Sequence, residues 1–395
     1  MAFWIWVTIL IIITLIIYFF GKKNHDYFSK RKVPYLKASP YIGNMGPIIF
    51  KKLPFSEFLL KMYNDLKGHP YGGIFEFMNP TLLLRDPELI KKVTVKDFEF
   101  FLDHRQAMNG KVEPLFGKGL FSLNAVSNFF RFLVQDSIQT RESRGIIRPD
   151  MIHLLMQAKN GTLKSEENTK MDGNSIPKPK WDADDLTAQA FLFFVAGFET
   201  ASTLLSFISH LLAVYPDIQN KLQDEIDQSL TDNDGKFTYE SIHNMKYLDM
   251  VVSETLRLYP PAVVTDRKCV KEYNLPSEPP ITLKPGDLLW LPIFALHRDP
   301  EYFPNPEKFD PERFSEENKN NIRPYTYIPF GAGPRNCIGN RFALMETKIA
   351  LVHLLSSFNL KVVSKTPIPL KLTKNSFSMN VDGGFWIGLE ERILT

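Results

Sequence analysis

The residues best placed to do chemistry are Phe330-Gly331-Ala332-Gly333-Pro334-Arg335-Asn336-Cys337-Ile338-Gly339, a glycine-rich loop that delivers one cysteine just ahead of an apolar stretch. A helix is predicted from about Gly339. Its N-terminal peptide dipoles favour an anionic sulfur at Cys337, and loop amides can hydrogen-bond the same atom. Cys337 is therefore a candidate thiolate ligand to a metal. Arg335, two residues earlier, can pair with a carboxylate of a cofactor. A dinucleotide-binding reading of Gly331-x-Gly333 fails, because no third glycine follows at the required spacing and Pro334 removes a backbone donor. A merely structural buried cysteine would need neither the glycines nor the arginine.

A second constellation is Ala196-Gly197-Phe198-Glu199-Thr200, where two small residues precede an acid and a hydroxyl. Small side chains leave room for a ligand against a helix. The Glu199–Thr200 pair can pass protons to a reduced oxygen species. The plainer alternative is a helix with a tolerated glycine and a solvated glutamate. A third set, Ser253-Glu254-Thr255-Leu256-Arg257, places Glu254 and Arg257 three apart on one helix face. With Arg313 of Pro311-Glu312-Arg313-Phe314 it can form a buried, structural charge network.

These residues need elements to hold them. Asp182 to Tyr215 reads as a long helix, apolar on nearly all sides, which predicts a path through the core. Helices are also predicted at Pro54 to Leu66, from Asp86-Pro87, at Ile218 to Leu230 and at Ile242 to Leu258. Residues 74–78 and 81–84 read as strands turning at Asn79-Pro80, and Leu370 to Leu389 as a hairpin around Asp382-Gly383-Gly384. Residues 160–180 are polar and aperiodic, which predicts a surface loop. The expected fold is mainly α with a minor β part.

Composition narrows the function classes. With 44% apolar and 23% charged residues the chain folds into a globule, and a net charge of +3 without a basic face gives no support for nucleic-acid binding. Two cysteines, Cys269 and Cys337, exclude a disulfide framework and a cysteine-built zinc or iron–sulfur centre. Phe3 to Phe20 is uncharged and long enough to span a bilayer, and Lys22-Lys23 follow it. It lacks the basic start and small-x-small site of a cleaved signal. Residues 1–21 are thus expected to be a transmembrane anchor and 22–50 a basic, proline-broken hinge. Residues 51–395 then form one domain on the cytosolic side.

The three constellations, in this order and at these separations, resemble the cytochrome P-450 family, the haem-thiolate monooxygenases. Phe191-Leu192-Phe193-Phe194-Val195 and His297-Arg298-Asp299-Pro300 resemble microsomal animal members, insect ones in particular. The resemblance implies haem b (iron protoporphyrin IX) with Cys337 as its metal ligand in the loop containing Phe330, Gly331 and Gly333. It implies Arg267 and Arg335 on the haem propionates, and Ala196 and Gly197 at the distal oxygen site. Thr200, with Glu199, would be catalytic, and Glu254, Arg257 and Arg313 a structural triad. The implied reaction inserts one atom of O2 into a small apolar substrate, xenobiotic or lipid-like. Electrons would come from an NADPH-dependent flavoprotein reductase at the endoplasmic reticulum membrane, entering near Arg335, Arg341 and Lys348.

One departure stands out. The family's Trp-x-x-x-Arg helix, due after Gly119-Leu120-Phe121-Ser122-Leu123, is absent, and from about residue 125 the text continues as a much later helix. An internal block of helices is expected to be missing. The alternative function is a noncatalytic, truncated membrane-anchored paralogue or splice form that does not hold haem productively.

Overall fold

The computed structural model describes residues 2–22, 24–105, 124–160, 162, 183–376 and 378–392. In chain order these form helices α1 (Ala2–Gly21), α2 (Tyr27–Lys30), α3 (Gly46–Ile49) and α4 (Phe55–Asp65), then strands β1 (Tyr71–Glu76) and β2 (Asn79–Leu84). Helices α5 (Pro87–Lys91), α6 (Asn124–Arg144), α7 (Met151–Asn160), α8 (Ala183–Val214), α9 (Pro216–Asp232), α10 (Tyr239–His243) and α11 (Lys246–Leu258) follow. The remainder holds β3 (Thr265–Lys268), β4 (Tyr273–Leu275), β5 (Ile281–Leu283), β6 (Leu288–Leu291), α12 (Ile293–Leu296), α13 (Asn340–Ser357), β7 (Phe358–Lys361) and β8 (Gly388–Glu391). The chain is mainly helical with a minor β part, as its patterns predict.

Contacts divide the chain into two compact units, Met1–Arg105 with Thr200–Thr395, and Gln106–Glu199. In the first, β1-β2-β6-β3 form one sheet, with β1–β2 and β3–β6 antiparallel and β2–β6 parallel. Against it α4 buries Phe58, Leu59 and Met62, the face its periodicity marks. Asp86 caps α5 by accepting from Glu88 N at 2.6 Å. The β1–β2 turn corrects the sequence reading. Glu76 pairs with Asn79, so Phe77 and Met78 make the turn and Asn79-Pro80 continue the ladder. The strand reaches two residues further because the register set by buried Leu82, Leu83 and Leu84 runs on to the tip. Residues 24–50, expected as a hinge, carry Phe28, Val33 and Met45 into this core.

A second cluster in the same unit joins the C-terminal part of α8 to α9, α11 and α13 through Ile208, Leu222, Val251 and Leu351. The Ile242 to Leu258 stretch is two helices rather than one. A capping box between Thr238 and Ser241 starts α10, and α11 begins only at Lys246, where Glu225 accepts from Tyr247 N and Leu248 N, both at 2.8 Å. The C-terminal hairpin is also smaller than predicted. Leu372 and Val381 form one bridge, while β8 pairs antiparallel with β7, whose Leu360 N is held by Gln219 Oε1 at 2.6 Å.

The second unit contains α6, α7 and the start of α8. Arg131 pairs with Asp184 at 2.7 Å, Arg141 clamps Asp150 at 2.6 and 2.8 Å, and Phe130 packs on Phe191 and Phe194. The expectation that α8 runs buried through a core fails in its first half. Leu192, Phe194, Phe198, Glu199 and Thr200 are exposed, and burial resumes at Ala201 and Leu204. Length and composition alone would let α8 cross a membrane, although only 28% of its most apolar window is buried. Of the predicted loop at 160–180, Asn160 is the last residue of α7 and all but residue 162 of the rest lies outside the described residues, as does the Gly119 to Leu123 segment.

Candidate functional site

The cysteine loop is shaped by two glycines in the left-handed region, Gly331 (φ +77°) and Gly333 (φ +73°). A Cβ at residue 333 would overlap the carbonyl oxygen of Thr94, so that position admits only glycine. Cys337 N donates to Phe330 O at 2.8 Å, closing the loop, and α13 starts three residues later with Gly339 as its N-cap. The helix predicted after the cysteine is therefore present. Cys337 carries an exposed thiol, whereas Cys269 is buried with Sγ donating to Lys271 O at 2.8 Å and burial pushing its thiol up to about 11. Ile338 and Phe342 turn large apolar side chains outward beside Cys337.

Two cations lie at the same loop. Arg267 on β3 is fully buried, its Nη1 donating to Asp266 O at 2.7 Å and its Nη2 to Ala332 O at 3.2 Å. Its Nε is buried with no partner. Burial lowers the Arg267 pKa; Asp266 pulls it back up in part, and the like charge of Arg335 pushes it down again. Arg335 donates from Nε to Leu102 O at 2.9 Å. Neither arginine forms an ion pair among the described residues; the carboxylate next to Arg267, Asp266, is taken up by His104 Nδ1 at 2.9 Å and Arg105 N at 3.0 Å. An apolar group bearing carboxylates fits this set: the thiol for a metal, Ile338 and Phe342 for apolar surface, and Arg267 Nε for a carboxylate oxygen.

Ala196, Gly197 and Glu199 are described with the second unit, and Thr200 begins the share of α8 that belongs to the first. Gly197 has open space where a Cβ would stand. The charge network forms as read. Arg257 Nε and Nη2 donate to Glu254 at 2.7 and 2.8 Å, Arg257 Nη1 donates to His297 O at 2.9 Å, and Arg313 Nε stands 3.4 Å from Glu254. Burial pushes the Glu254 carboxyl up against the pull of both arginines. Lys348 corrects the expected electron-entry surface. It is buried and already paired with Asp249 at 2.5 Å, because α13 turns that position toward α11. Thr94 and Leu102 were missed in the sequence: both act through backbone carbonyls, which leave no side-chain signature. No group of three or more His, Cys, Asp or Glu able to hold a metal occurs among the described residues.

A mainly helical chain that offers one exposed thiol on a rigid glycine loop, with unpaired arginines beside it, has the makings of a haem-thiolate protein. Residues 116–387 match the family model for cytochrome P450, and the chain belongs to that family of monooxygenases. It is 51% identical to cytochrome P450 9e2 of Blattella germanica, covering 99% of this chain and 98% of that one. It is 32% identical to probable cytochrome P450 9f2 of Drosophila melanogaster over 98% of this chain and 99% of that one. Cytochrome P450 3A9 of Rattus norvegicus is 43% identical over 63% of this chain and 47% of its own length. The family cofactor is haem.

Proposed function

We propose that the chain binds haem b through Cys337 and inserts one atom of O2 into a small apolar substrate, xenobiotic or lipid-like. When bound, haem supplies the activation of dioxygen, with electrons from NADPH delivered by a flavoprotein reductase. Cys337 would hold the iron as a thiolate, the ligand type that favours cleavage of an oxygen–oxygen bond. Arg267, through its unpartnered Nε, and Arg335 hold the propionates. Phe330, Gly331 and Gly333 keep the loop in place, and Ala196 and Gly197, two small residues on α8, would leave room for a bound ligand. Thr200, with Glu199 next to it, would hold and pass on the protons that a reduced oxygen species needs. The observation that carries the reading is the exposed Cys337 thiol beside buried Arg267, whose Nε has no hydrogen-bond partner.

Residues 1–21 serve as an anchor in the endoplasmic reticulum membrane, 22–50 as a basic link, and 51–395 as the catalytic domain. In support, α1 is a 20-residue helix without charge that turns Trp4, Trp6, Ile11 and Phe19 outward. A block of helices near residue 125 is missing relative to the family. The alignment to the Blattella protein runs over 525 positions, 130 more than this chain's 395 residues, and Phe132, Phe194 and Phe198 are exposed. The test is the reduced carbon monoxide spectrum of the full chain. A thiolate-type Soret band, lost in Cys337→Ala and kept in Cys269→Ala, supports the enzyme. Absence of any haem band in the unsubstituted chain favours the noncatalytic alternative.

A further inference from the structure

A cleft of about 1040 Å³ in the first unit shares no wall residue with the cysteine loop. Its walls come from the chain around the end of α4, the residues before α5 and the turn after α12, which bring Lys67, Arg85, Arg298 and Arg323 to one space. Two of these cations are buried and incompletely bonded. Arg298 is 7% exposed, with its guanidinium carbon 3.7 Å from the centre of the Phe294 ring. Exposed Glu307 stands 3.3 Å from its Nε, but Nη1 is buried without a partner. Burial pulls the Arg298 pKa down to about 10, and Glu307 offsets part of that shift. Arg85 donates from Nη1 to Leu66 O at 3.2 Å and His69 O at 3.0 Å, while its Nε is also buried without a partner.

The carboxylates of the cleft are mostly engaged elsewhere. Asp86 caps α5 through Glu88 N. Asp299 accepts from Tyr63 Oη at 2.7 Å and from Glu301 N at 3.0 Å, and lies 3.7 Å from Arg85 Nη2. Glu307 is held at Arg298 Nε, which leaves Glu301 as the free acid. Against it stand Lys67 and Arg323, both exposed and without an ion pair among the described residues. A buried donor with no acceptor costs free energy, and an oxygen supplied from the cleft removes that cost. A trapped water would satisfy such a donor but bring no charge to the surplus of cations.

We propose that this cleft binds a small oxyanion, a carboxylate or phosphate group, between the buried arginines Arg85 and Arg298, with Lys67 and Arg323 at its rim. The planar guanidinium groups suit either oxyanion, since both present oxygens in pairs. The proposal is independent of haem binding at Cys337, because the two sites share no residue.

Thermal melting of the full chain in phosphate, and separately in acetate, with chloride holding ionic strength fixed, tests it. A ligand that binds only the folded chain raises the melting temperature saturably. Tighter binding of acetate assigns the site to a carboxylate, tighter binding of phosphate to a phosphoryl group. Lys67→Ala and Arg323→Ala each weaken the apparent affinity about two- to fivefold, as exposed charges do, with the anion-free melting temperature unchanged. Arg298→Met removes the response, and the rim variants decide the case if that chain does not fold. Arg267→Met, at the cysteine loop, keeps it. A response lost in Arg267→Met and intact in the rim variants places the anion at the cysteine loop and overturns the proposal. No saturable response to either anion, the behaviour of a cleft that holds water alone, overturns it as well.

Discussion

Gly333 lies against the carbonyl of Thr94 so closely that any side chain at position 333 would displace one of them. The cysteine loop is thereby locked to the turn at Lys92–Lys96, an element with no motif of its own. Gly333→Ala must both take up a left-handed conformation, costing about 1–2 kcal/mol, and push Thr94 aside. The expected result is a loss of about 2 kcal/mol or more in urea unfolding, with haem uptake falling in parallel. Gly331→Ala, which strains the backbone but meets no such wall, should cost less. Equal losses in the two variants would sink the locking argument.

Arg267 is buried with one donor unsatisfied, so an incoming carboxylate relieves a penalty the apoprotein already carries. Arg267→Met should weaken haem binding by about 10- to 100-fold, the equivalent of a lost charge-assisted hydrogen bond of about 1.5–3 kcal/mol. It should leave apoprotein stability equal or slightly higher. Titration of the apoprotein with haem, followed at the Soret band, measures the first, and thermal melting the second. Unchanged affinity would mean that Arg267 is only a packing residue.

Glu254 and Arg257 are both fully buried and joined by two hydrogen bonds. Glu254→Ala leaves the Arg257 charge without its counterion, at a cost of about 3–5 kcal/mol. Because Arg257 also holds the carbonyls of His297 and Lys308, the segment leading to the cysteine loop should loosen with it. Arg313→Ala, at the rim of the network, should cost clearly less. Urea unfolding of both variants checks the ranking.

His297 is a buried, neutral imidazole: Nε2 accepts from Ile328 N at 2.9 Å and Nδ1 faces Arg257 O at 3.3 Å. Burial, helped by Arg257, holds its pKa at about 3, against an ordinary 6.5. Between those values the unfolded chain binds a proton that the folded chain refuses. Its contribution to stability is therefore complete above pH 6.5 and is lost as pH falls toward about 3. From pH 6.5 to 4.5 the loss is about 2–3 kcal/mol for this one group. Urea unfolding at both pH values should show that increment in the unsubstituted chain and lack it in His297→Gln. Identical pH slopes would overturn the assignment.

The parts of the site legible in the sequence are those in which a side-chain type is itself the constraint. Cys337, Arg335 and the Glu254–Arg257 pair could be read because a thiol, a cation and a three-residue helical spacing each carry chemistry wherever the chain puts them. What could not be read is held by backbone. Thr94 and Leu102 meet the loop through carbonyls, and Lys348 looked like a docking cation until α13 turned it onto Asp249. The long apolar helix misled for a different reason: α8 has the composition of a core helix, but composition does not say what covers its first half.

The uncovered half of α8 bears on the proposed loss of a block of helices near residue 125. Phe129, Phe132, Leu192, Phe194 and Phe198 are exposed on α6 and α8, an apolar surface that a folded domain ordinarily buries. If the alignment positions without a residue here, at least 130 of them (525 less 395), are a lost block of helices, returning that block from the Blattella relative should cover this surface. Binding of a hydrophobic dye should fall, and thermal stability should rise by several degrees, as burial of a few aromatic side chains implies. Haem occupancy and turnover with reductase should increase together, because the same block would close the haem edge and wall the substrate cavity. Full haem occupancy and ordinary turnover in the present chain, with no gain on grafting, would overturn the proposal that a functional block of helices is missing.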